Sequence, residues 1–239
     1  MITAIMQPTY LPWAGYFALM TRCECFVFLD DVQFDRRSWQ SRNRIAVGGK
    51  EHLISVSTKK APRDALIQDI CLNDSTGWRH KHQKTLEVSY MKSAFGADLI
   101  DPLNATLSQE SLSYLSDLNI ALISLIAKTL DLTPTFVRAS ELHCRSKRSH
   151  HLLEICRAIG TSVYISPEGS QAYLAEDGFT DFLGDIPMKF HRFTPRPYPQ
   201  KRSKEFIPFL SIVDVIANVG PDATQRYLKE NDQICPHSR

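Results

Sequence analysis

The first thirty residues constrain the fold more than any other stretch. Thr3-Ala4-Ile5-Met6 is short and apolar and runs into a proline turn. Trp13 to Arg22 then carries Tyr16, Phe17, Leu19 and Met20 at near-helical spacing. Cys25-Phe26-Val27-Phe28-Leu29 is a second apolar run, ending at Asp30-Asp31. So short an apolar run fits a strand buried on both faces. Two such strands joined by a helical crossover lie parallel, because the crossover brings the chain back to the edge it left. The spacing therefore predicts a βαβ unit at the start of an α/β fold, a Rossmann-like and mostly parallel sheet with helices on both faces.

The rest of the chain follows the same grammar. Phe136-Val137-Arg138, Val163-Tyr164-Ile165 and Met188-Lys189-Phe190-His191 read as strands, and Lys147 to Ile159 as a helix closed by Gly160. Gly48-Gly49 predicts a hairpin turn between 44–47 and 52–56. Leu66 to Leu72 alternates as a further strand, so an antiparallel extension of the sheet is expected here. From Thr76 to Phe95, Trp78, His82, Leu86 and Tyr90 fall four apart on one helical face. Ser108 to Leu130 is the longest helical candidate, and Ile207 to Asn218 adds to a helical C-terminal part. No repeat or linker divides the 239 residues, which read as one domain over 1–239.

Composition narrows the function classes. With 43% hydrophobic and 23% charged residues the chain is globular rather than disordered. A net charge of +2 supplies no whole-molecule field for DNA. No stretch approaches the roughly 20 apolar residues that membrane insertion needs. The N-terminus lacks the basic and apolar regions of a signal peptide. The six cysteines are scattered and form no C-x-x-C pair, which suits reduced thiols in a cytoplasmic protein and gives no metal-ligand set.

In parallel sheets, ligands bind beyond the carboxyl ends of the strands. The loop after the first strand sits there, with Gln7, Thr9, Tyr10, Trp13, Gly15 and Tyr16 as candidate substrate-binding residues. A helix opening at that point would turn free N–H groups toward an anion such as phosphate. After the second strand come Asp30 and Asp31, candidates for a catalytic base or for binding an amine, then Gln33, Arg37, Trp39, Arg42 and Asn43. The arginines would clamp phosphate or carboxylate, and Trp39 would stack on a sugar or base. His82 is a further acid–base candidate, although a histidine on an apolar helix face more often serves the core. Ser166, Gly169 and Ser170 follow a strand and offer a second phosphate cradle, without the Gly-Lys-Ser/Thr ending of a P-loop.

Met6 to Phe17, Phe26 to Phe34 and Arg37 to Asn43 together resemble the opening of the WbqC-like family. The resemblance continues through Trp78, Lys81-His82, Tyr164-Ile165-Ser166, Tyr198-Pro199-Gln200 and Phe206 to Asp214. It departs at Pro167-Glu168, where relatives commonly carry Gly-Pro. Family members occur among bacterial genes for O-antigen and other surface polysaccharides. The resemblance thus implies a biosynthetic enzyme acting on a nucleotide-linked sugar, with transfer of an acyl or aminoacyl group, such as glycyl, to an amino sugar. A more distant resemblance is to the nucleotidylyltransferase superfamily: Thr9 and Gly15 have the spacing of its His-x-Gly-His helix start, but both histidines are absent. It implies ATP- or CTP-dependent chemistry through an altered site as the alternative. A third reading is a non-enzymatic sugar-binding partner of a biosynthetic complex. The sequence leaves cofactor, donor and oligomeric state open.

Overall fold

A computed structural model describes residues 1–179, 183, 184 and 186–236. The opening βαβ unit forms as the spacing predicts: β1 (Ile2–Met6), α1 (Ala14–Met20) and β2 (Cys25–Phe28). β1 and β2 pair in parallel, from Thr3 opposite Cys25 to Met6 opposite Phe28. A two-stranded hairpin follows, β3 (Arg42–Val47) and β4 (Lys50–Ser55), then α2 (Trp78–Tyr90), α3 (Gly96–Leu107) and α4 (Leu115–Thr129). The chain returns to the sheet through β5 (Thr135–Arg138), α5 (Arg148–Ala158), β6 (Val163–Pro167), α6 (Gln171–Glu176) and β7 (Met188–Phe193). It closes with α7 (Ile212–Val219), α8 (Pro221–Glu230) and β8 (Asp232–Pro236).

The main sheet has six strands in the order β5-β2-β1-β6-β7-β8, all parallel except the β7–β8 pair. Alternate residues of each strand face opposite layers. Ala4, Phe26 and Phe28 pack with α1, the α2–α4 layer and α7, whereas Ile5, Cys25 and Val27 pack with Leu152, Ile155 and Leu174 of α5 and α6. Helices thus cover both faces of a Rossmann-like sheet. β1 hands the chain to the first face and outward to β2. Its neighbour β6 hands the chain to the other face and outward to β7. That reversal between adjacent strands makes the crevice beyond Met6 and Pro167 the topological switch point.

The hairpin turns on Gly48 and Gly49, whose φ values of 60° and 80° suit a two-residue turn that side-chain-bearing residues rarely adopt. It stands as a separate two-stranded sheet against the helical layer, where Tyr90 Oη accepts a hydrogen bond from the Ala46 amide at 2.9 Å. The antiparallel addition to the main sheet is β8, from the tail. The expected strand at 66–72 is instead a 3-10 turn at Ile67–Asp69, held by single bridges such as Gln33 to Leu66 and Thr58 to Leu72. The longest helix begins at Leu115 rather than Ser108, and the one expected at 207–218 begins at Ile212. Among the described residues no helix is long and apolar enough to cross a membrane, and all six cysteines are free.

Candidate functional site

A cleft of about 310 Å³ opens beside the switch point, lined by Met6, Thr9, Trp13, Tyr16, Trp39, Asn43, Arg44 and Phe209. Five candidate residues from two sequence segments, Thr9, Trp13, Tyr16, Trp39 and Asn43, therefore meet at one place. Gly15 belongs with them: a Cβ there would run into the Trp13 ring, so only glycine lets the indole lie along α1. Trp39 and Phe209 stand at the rim, 48% and 47% exposed. The Phe209 ring lies 5.4 Å from that of Trp13, and the Arg44 guanidinium 5.3 Å from the Trp39 ring. Arg44 also pairs with Glu51 at 3.0 Å, while its Nε is buried without a hydrogen bond. Aromatic walls with one cation and the Thr9 hydroxyl suit a flat or ring-shaped ligand that carries negative charge.

The walls are fixed by polar stitching. Tyr10 N donates to Trp39 O at 3.0 Å, and Asn43 Nδ2 donates to Tyr10 O and Leu11 O at 3.0 and 2.9 Å. Buried Asn119 of α4 donates to Pro8 O at 3.0 Å and Gln40 O at 2.8 Å, and Gln40 Nε2 donates to Gln7 Oε1 at 2.9 Å. Gln7 and Asn43 therefore hold the loops together. The Phe209 segment is anchored by Ser211 N to Arg44 O and Ile212 N to Pro12 O, both 2.8 Å. Leu11 and Phe209 both have positive φ, 42° and 60°, in a region that costs a side-chain-bearing residue about 1–2 kcal/mol.

The three acid–base candidates part company. Asp30 is fully buried; its carboxylate accepts from Arg138 Nε at 2.7 Å, Ser140 N at 3.0 Å and Ser140 Oγ at 2.9 Å. Arg138 goes on to Asp117 at 2.7 Å, so Asp30 is one member of a network tying β2, β5 and α4 together. His82 is buried against Trp78 and takes the Tyr10 hydroxyl on Nδ1 at 2.8 Å. Burial pushes its pKa down to about 4, against an opposing hydrogen bond to the Ser55 backbone, so the ring is neutral at pH 7. Both geometries are those of structural residues. Asp31, at the carboxyl edge on the opposite face from the cleft, lies 3.0 Å from His151 Nε2. His151 Nδ1 is buried with no hydrogen-bond partner. None of the three lines the aromatic cleft.

The remaining candidates lie elsewhere. Ser166 and Ser170 turn inward and share a 2.6 Å hydrogen bond, Tyr164 Oη donates to Ser166, and Ser170 Oγ donates to Pro167 O at 2.6 Å. Their hydroxyls close the turn beside Gly169 instead of facing a ligand, and Glu168 is paired with Arg192. Gln33 and Arg37 line one neighbouring groove and Arg42 another. Arg44 and Phe209 were missed as site residues. Arg44 stood within the cationic run after β2, but no local signal brings Phe209 to it from 165 positions away.

A family model described as the WbqC-like protein family matches residues 7–226. The chain is 29% identical over 229 residues to the uncharacterized protein Rv1507c of Mycobacterium tuberculosis, covering 95% of this chain and 98% of that one. No solved structure matches it.

Proposed function

Because the chain belongs to the WbqC-like protein family, we propose that it is an enzyme of bacterial surface-polysaccharide biosynthesis. It binds a nucleotide-linked amino sugar and transfers an acyl or aminoacyl group, such as glycyl, to the sugar's amine. The observation that carries this reading is the convergence of Thr9, Trp13, Tyr16, Trp39, Asn43 and Arg44 in one mainly apolar cleft at the switch point of a parallel sheet. The base or sugar ring stacks between Trp13, Trp39 and Phe209, while Arg44 meets negative charge and Thr9 offers a polar contact. In the transfer, the neutral amine attacks the carbonyl carbon of an activated acyl donor, the donor's leaving group departs with the bonding pair, and the amine's proton passes to a base. This reading places the acceptor's amine beyond the cleft, across the carboxyl edge of the sheet at Asp31, because Asp30 is consumed by Arg138 and Ser140, whereas Asp31 keeps 12% of its side chain exposed and is oriented by His151.

One observation favours a second reading. No acid–base candidate lines the cleft, which suits a sugar-binding partner of a biosynthetic complex without turnover. Purified protein incubated with nucleotide-amino sugars and a panel of acyl and aminoacyl donors, followed by mass spectrometry, separates the two. The transferase reading expects an acyl mass increment on the acceptor, abolished in Asp31→Asn with binding retained, and acceptor affinity at least tenfold weaker in Trp13→Ala. Binding without any increment across the panel, unchanged by Asp31→Asn, supports the binding partner instead. Pyrophosphate released from ATP or CTP would point to nucleotidyl transfer.

A further inference from the structure

Two adjoining grooves on the far side of the Trp39 loop belong to neither reading. One, of about 660 Å³, is lined by Arg36, Arg37 and Arg63; the other, of about 180 Å³, by Arg36, Arg42, Lys59 and Lys60. They share Arg36 and a floor of Phe34, which is 8% exposed. Two chain segments thus bring six cations together in a molecule whose net charge is only +2. Among the described residues none of the six has an ion-pair partner. Asp35 alone among the lining residues is acidic, and one of its oxygens already accepts from Arg37 N at 3.0 Å. The loops are pre-set: Arg36 Nη2 donates to Ala61 O and Gln33 Nε2 to Arg63 O, both at 2.7 Å. Arg42 spends one nitrogen on Arg37 O, and its buried Nε has no hydrogen-bond partner among the described residues.

We infer that this double groove is a binding site for a diphosphate, either as the free nucleoside ester or on a lipid carrier. Guanidinium groups fork onto phosphate oxygens in pairs, and a ligand with two linked phosphates engages both grooves across the shared Arg36 where a single phosphate fills one. Nucleic acid fits less well, because the one aromatic ring in the grooves is buried and offers no face for a base to stack on. The site stands whether or not the aromatic cleft takes a sugar or base.

Calorimetric titration of the whole chain with inorganic pyrophosphate, orthophosphate and a short RNA oligonucleotide tests it. Among the described residues the Lys60 and Arg63 side chains have no hydrogen-bond or ion-pair partner, so Lys60→Glu with Arg63→Glu changes charge without undoing such a contact. The paired control is Lys128→Glu with Arg157→Glu, outside both grooves. Pyrophosphate is expected to bind at least tenfold more tightly than orthophosphate, to lose at least tenfold in the groove variant and to lose little in the control. Displacement of pyrophosphate by UDP assigns a nucleotide, and by vesicles carrying a lipid diphosphate assigns a lipid carrier. Equal affinity for the two anions, equal loss in both variants, tighter binding of RNA, or displacement by neither carrier overturns the site.

Discussion

His82 shows how one side chain can look catalytic and serve the core. Its ring accepts from Tyr10 and packs on Trp78, and burial holds its pKa at about 4 against an ordinary 6.5. Below pH 6.5 an unfolded His82 takes up a proton that the folded one refuses until about pH 4. The folded state should therefore lose stability as pH falls through that window, by at most about 3 kcal/mol from this group. Urea midpoints of the native chain and of His82→Gln, measured at pH 7 and pH 4.5, should show a shallower loss in the variant; parallel losses would refute the assignment. The aspartates teach the same lesson. Asp30 and Asp31 are neighbours in sequence, and the alternation of an extended chain sends one to the Arg138 network and the other to His151. Which of the two stays available is decided by partners more than 100 positions away.

Segments from distant parts of the chain assemble the cleft, and the 198–214 strap is the most telling. Tyr198 Oη donates to Asp214 Oδ2 at 2.7 Å, and Gln200 bonds Ile207 in both directions, N–H to O at 2.9 Å and O to N–H at 2.8 Å. Burial raises the Asp214 pKa against the hydrogen bonds of Tyr198, Tyr90 and Gln200. These bonds clamp the segment that carries Phe209. Gln200→Ala should cost about 1–3 kcal/mol by stranding Ile207 N–H and O, and it should weaken ligand binding in the cleft as the strap loosens. Thermal melts and a binding titration on the same variant check both effects. β1, α1, β2, the hairpin and β6 were legible in the sequence because two-face burial and glycine turns leave a local imprint. α3 was not: it opens on Gly96 and carries Pro102 inside it, and its buried face is defined by α2, α4 and α7. Leu66 to Leu72 has a strand's alternation, yet partners reach it only at single bridges. Thr9 and Trp13 were readable because they stand in the loop directly after β1, and Trp39 and Asn43 because they belong to the aromatic, cationic stretch between β2 and the glycine hairpin. Phe209 was not, since tertiary structure alone brings it there.

On the scale of the whole molecule, the parallel sheet is closed on one side by its own tail. β8 covers the β7 edge antiparallel, from Lys189 opposite Pro236 to Phe193 opposite Asp232. Asp232 pairs with Arg22, just beyond α1, and its Oδ1 lies 2.6 Å from His191 Nε2, close but off the line of a good hydrogen bond. A polar strand such as Asp232-Gln233 carries little sequence signal, yet it blunts an edge that would otherwise recruit another chain. Removing residues 232–239 should leave the fold's helical content but produce concentration-dependent association, visible by light scattering. Arg22→Ala should show a milder form of the same defect.

The strained backbone at Phe209 sets stability of the whole against service at one spot. A chain shaped for endurance alone would place glycine at a φ of 60°. Keeping a half-exposed phenyl ring there sacrifices about 1 kcal/mol of folding free energy for a wall of the cleft. Phe209→Gly should melt at the same temperature or higher than the native chain while holding the cleft's ligand less well. The two measurements moving in opposite directions would mark Phe209 as a residue retained for what it touches.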